Sequence, residues 1–115
     1  MTGIMMSHIA TAVQAAGGGG GEVVIINPST FSNTTAENSI ITITGGEPNS
    51  PFWIGTGNEP ITEMPFFVEW PNTLNSSGNY SGNMAHFGTL YGSGYVNVYF
   101  GTTNHIRSIP YTWTG

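Results

Sequence analysis

The chain has 115 residues, enough for one domain, with six acidic side chains against one basic side chain, a net charge of -5 and no cysteine. Charged residues make up 6% of it, against about 25% in ordinary globular domains, so its polarity rests on Asn, Ser, Thr and Gly. With Arg107 as the single strong cation, the chain lacks the basic patch that binds nucleic acid or anionic lipid; no apolar run approaches the roughly 18 residues of a membrane span, and disulfides and thiolate metal sites are excluded.

Residues 1–16 place Met5, Met6, Ile9 and Val13 at helical spacing, which predicts a short amphipathic arm. Ala10-Thr11-Ala12 resembles a signal-peptide cleavage site, but the cationic flank of a signal peptide is missing and His8 interrupts the apolar stretch, so the segment reads as a retained arm. Glycines 17–21 end the helical pattern and act as a hinge, because glycine loses the most backbone entropy on ordering. A helix of about 15 residues is marginal alone, so the arm needs a partner surface.

From Glu22 the apolar period changes to two. Residues 22–27 read as a strand stopped by Pro28, 39–44 as a second closed by Gly45-Gly46, and 52–54 as a short third between Pro51 and Gly55. Residues 65–70 alternate as a fourth, and 71–82, rich in Asn, Ser and Gly, read as a long exposed loop. Strands at 84–90 and 94–100 are predicted to form a hairpin through Tyr91-Gly92-Ser93-Gly94. A last strand spans 105–114, with Ile109, Tyr111 and Trp113 on one face and Pro110 favouring a sheet edge. This succession, punctuated by Gly, Pro and Asn, predicts a mainly β chain: one β-sandwich or jelly-roll-like domain over 22–115, preceded by the helical arm at 1–16 and the hinge at 17–21.

The residues give little purchase for catalysis. A Ser-His-Asp triad is impossible without Asp, and the six glutamates, mostly beside Pro, Thr or Gly, read as solvated loop charge rather than as an acid/base pair. His8, His86 and His105 have no further ligand at metal-binding spacing. Gly55-Thr56-Gly57 and Gly92-Ser93-Gly94 lack the helix and Lys of phosphate loops and read as turns. Asn33, Asn75 and Asn79 each begin an N-glycosylation acceptor pattern, expected by chance in so Asn-rich a chain. No catalytic residue, cofactor or metal ligand is assigned.

Two functions remain. Tyr80, Tyr95, Asn97 and Tyr99 suit either a protein interface, where Tyr is enriched and charge depleted, or a carbohydrate contact on a secreted, extracellular module that also uses Trp53. The arm favours assembly, since a neutral surface of Asn, Thr and Ser is buried at lower cost than a charged one. In style, the arm at Met5–Ala16, the hinge at Gly17–Gly21 and the neutral segments Ile40–Gly46 and Tyr91–Gly101 resemble the small capsid-decoration and fibre-head proteins of bacteriophages and other viruses. That resemblance is architectural and implies a non-enzymatic virion protein, a homo-oligomer such as a trimer, docked on capsid or tail subunits.

Overall fold

The computed structural model describes residues 12–15, 21–65 and 72–115. The chain is mainly β and its strands form two sheets. One has the order β1 (Ala12–Ala15), β2 (Val23–Asn27), β4 (Ile40–Thr44) and β7 (Tyr80–Asn83). The other has the order β3 (Thr30–Phe31), β9 (Ile106–Trp113), β8 (Gly94–Phe100), β5 (Pro51–Gly57) and β6 (Asn72–Thr73). All pairings are antiparallel except β3 with β9.

The two sheets share one core, and the period-two pattern explains which side chains enter it. Val24 and Ile26 on β2 and Ile41 and Ile43 on β4 turn inward from the first sheet, and Phe52, Val96, Val98, Phe100 and Ile109 meet them from the second. Burying each such side chain contributes about 1.5–3 kcal/mol. Leu74 and Met84 fill the same core from outside the long strands.

Three elements differ from the sequence pattern, each for a tertiary reason. Ala12–Ala15 is a strand where a helix is expected: it pairs with β2 in the register Ala12↔Ile26 to Ala15↔Val23. The edge of β2 offers this segment backbone partners along one side, which outweighs the small helix preference of Ala. Val13 therefore sits on a strand, while Met5, Met6 and Ile9 lie outside the described residues, as does most of the strand expected at 65–70.

The segment 71–82 is not one long exposed loop. Thr73 pairs with Pro51, Leu74 is buried, and β7 forms from Tyr80 onward. Tight turns make this possible: Gly78, at φ 77°, donates to Asn75 and accepts from Gly46, and a Cβ there would lie 2.0 Å from the Gly46 carbonyl oxygen.

The third difference is at Met84–Phe87, a 3-10 helix rather than a strand; the Asn83 side chain caps it by accepting from the Ala85 N–H at 3.0 Å. The expected hairpin between 84–90 and 94–100 is therefore absent, and β8 pairs instead with β5 and β9. Pro110 stands opposite Tyr95. Two residues on, the Thr112 N–H bonds to the Ser29 carbonyl, so the Pro110 nitrogen points toward the same flank, ahead of the β3 pairing.

Candidate functional site

The N-terminal strand reaches the body of the domain at Glu22, the residue before β2. Glu22 is the one glutamate among the described residues that is buried, at 2% exposure, and it faces the only arginine in the chain. Thr103 Oγ1 donates to its Oε2 at 2.7 Å, and His105 Nδ1 lies 2.8 Å from its Oε1. Arg107 donates from Nη2 to the same Oε1 at 3.3 Å and from Nε to the Glu22 backbone carbonyl at 3.0 Å, while Nη1 binds the Ile106 carbonyl at 2.8 Å. Gly45, at φ 77°, permits the close approach, since a Cβ there would sit 2.4 Å from the Gly21 carbonyl oxygen.

Burial pushes the Glu22 carboxyl toward the neutral form, but hydrogen bonds from Thr103 and His105, its own backbone N–H and the charge of His105 outweigh it and hold the pKa below the ordinary 4.5. The cluster joins the two sheets: the acid opens β2, and its partners come from β9 and the turn before it. With both carboxylate oxygens engaged and the side chain buried, the arrangement is a clamp rather than an open acid/base pair.

This corrects the reading of the glutamates as uniformly solvated. Glu22 differs because position 22 turns inward with Val24 and Ile26, and the only arginine is available to compensate its charge. The isolated basic residue was the one signal in the sequence: an Arg on an otherwise apolar strand face requires an anion. Among the described residues no three His, Asp or Glu side chains are grouped as metal ligands.

The four residues singled out as a contact face are not brought together. Tyr80 lies on β7 of the first sheet, opposite Ile43, and its ring packs edge-on against Phe52 at 4.9 Å, so it belongs to the core side. Tyr95, Asn97 and Tyr99 do share the outer face of the second sheet, as the alternation indicates, but Asn97 and Tyr99 are buried. Asn97 Oδ1 accepts from Ser108 Oγ at 2.7 Å and from the Ile61 N–H at 3.3 Å, and its Nδ2 donates to the Glu59 carbonyl at 3.1 Å, fixing the 58–61 loop over the sheet. The Tyr99 hydroxyl binds Asn104 Oδ1 at 2.6 Å. Trp53, half-buried, lies along its own strand over Gly55, where a Cβ would meet the ring at 2.8 Å.

Among the described residues the outer edge of β1, which pairs only with β2, is one of four sheet edges without a further strand, the others being those of β7, β3 and β6. No protein-family model matches the chain, and no characterised protein or solved structure matches it significantly.

Proposed function

We propose that this chain is a structural assembly subunit, a β-sandwich that joins further copies of itself through its N-terminal strand. The observation that carries this reading is the place of β1: a four-residue strand at the edge of its sheet, tied to β2 by a connection containing the five glycines 17–21. Hairpin connections are usually 2–5 residues, and a longer, glycine-rich one is costly to close. If β1 leaves its own β2 and pairs with that of a neighbour, the same backbone bonds form again between two chains, which is the logic of strand exchange.

The Glu22 clamp supports the same reading. It fixes the point where the connection enters the domain, so the body keeps its fold while the strand changes partners. The low charge of the chain favours burial of its surface between copies. The architectural resemblance to decoration and fibre-head proteins supports a virion setting for such a subunit, as a homo-oligomer, with trimers and contacts to capsid or tail proteins part of the proposal. A jelly-roll-like strand order belongs to that resemblance too.

Size-exclusion chromatography with light scattering on the full chain and on a chain lacking residues 1–16 tests this. The full chain is expected to be oligomeric and the truncated chain monomeric with its β circular-dichroism signature retained. A truncated chain that keeps the same oligomer, or a monomeric full chain at high micromolar concentration, would refute the proposal.

A further inference from the structure

A groove of ≈ 310 Å³ opens at one end of the molecule, between Thr56 and Asn58 at the end of β5 and the segment Thr89–Leu90–Tyr91, with Tyr111 lining it from β9. Its size is at the small end for ligand sites, which run about 300–1,000 Å³. No carboxylate or cation lines it.

Two features distinguish it from an ordinary gap between loops. The first is Tyr111. Its ring is stacked on Phe31 at 5.5 Å and is 7% exposed, yet its hydroxyl makes no hydrogen bond among the described residues. The hydroxyl oxygen is not buried and reaches solvent at the groove, where a small polar ligand can take the place of water. Burial raises the Tyr111 pKa, so the hydroxyl remains a donor at neutral pH.

The second is Tyr91, 84% exposed on a segment without regular structure that is nevertheless held at both ends. The Asn33 side chain clamps Leu90 by donating to its carbonyl at 2.9 Å and accepting from its N–H at 3.0 Å, and Ser93 Oγ accepts from the Trp113 N–H at 2.9 Å. Ring exposure on a braced segment costs little ordering entropy when a ligand covers it.

We propose that this groove binds a neutral saccharide, with the Tyr91 ring against the apolar face of a pyranose and Thr56, Asn58, Thr89 and the Tyr111 hydroxyl engaging its hydroxyl groups. A sugar suits the lining because it brings both a flat CH face and several small donors and acceptors. An ionic ligand would find no counter-charge, and the exposed Glu59 beside Asn58 disfavours an acidic sugar. This site is separate from the assembly surface, so the two proposals stand or fall independently.

The test presents the full-length chain to an array of neutral and sialylated glycans, then titrates the best neutral ligand calorimetrically into wild type, Tyr91→Ala and Tyr111→Phe. Tyr91→Ala is expected to weaken binding about tenfold with an unchanged melting temperature and oligomeric state, because the side chain is exposed. Tyr111→Phe keeps the ring stacked on Phe31 and is expected to weaken binding about fivefold, the worth of one neutral hydrogen bond. Absence of neutral-glycan binding up to millimolar concentration, binding confined to acidic glycans, or affinity that survives both substitutions overturns the proposal.

Discussion

Replacing Glu22 by Ala removes the centre of the clamp and leaves Arg107 buried at 6% exposure without its carboxylate. Removing one partner of a buried ion pair costs about 3–5 kcal/mol, because the remaining charge is stranded. Two features moderate this: Arg107 keeps the Glu22 and Ile106 backbone carbonyls, and the His105 side chain is 41% exposed, so water reaches one side of the cluster. A loss of about 3 kcal/mol is therefore expected, which at roughly 4 °C per kcal/mol for a domain of this size lowers Tm by about 12 °C.

The pH dependence gives a second readout through Glu22→Gln, which keeps the shape and removes the charge. The folded-state pKa of Glu22 lies below the ordinary 4.5, so its ionised form contributes stability that is present above the unfolded-state pKa and lost as pH falls through the folded one. The stability gap between wild type and Glu22→Gln should be full near pH 7 and should narrow below about pH 4.5. Urea denaturation of both proteins from pH 3 to pH 7 measures it. A cost for Glu22→Ala below about 1 kcal/mol, or a gap independent of pH, would show that the cluster behaves as a solvated surface pair and refute the clamp.

Other outcomes follow from single contacts. Asn97→Leu deletes the bonds to Glu59, Ile61 and Ser108, so hydrogen exchange at the Ile61 amide should accelerate and protease cleavage within 58–65 should increase, with the β signature retained. Asn33→Ala frees Leu90 and should loosen the segment bearing Tyr91, seen as faster exchange of the Leu90 amide and a destabilisation of about 1–3 kcal/mol from two lost, part-buried bonds. Unchanged exchange in either variant would mean that packing, rather than the Asn side chain, holds the loop.

The runs of β-branched and alternating apolar residues were enough to indicate strands at 22–27, 39–44, 94–100 and 105–114, found at Val23–Asn27, Ile40–Thr44, Gly94–Phe100 and Ile106–Trp113. They also grouped Val96, Val98 and Phe100 on one face, whereas the unbroken run Val23–Ile26 left open which of its side chains enter the core. These strands are half-buried, and a period of two is a property of the chain itself. Low charge likewise spoke directly from composition. The outcomes at Ala12–Ala15, Tyr80–Asn83 and Met84–Phe87 were decided by which sheet edge lay free, which backbone groups a turn brought close, and which side chain capped a helix. The same holds for the functional features. The outer-face alternation of Tyr95, Asn97 and Tyr99 was readable, but Asn97 is bonded under a loop some 36–38 residues away in sequence. Glu22 and Arg107 are separated by 85 residues, and Leu90 and Asn33 by 57, so only the closure of two sheets over one core turns them into a clamp and a brace. A sequence specifies local periodicity because it repeats every two residues; it does not display which distant polar groups must meet to leave none buried and unpaired.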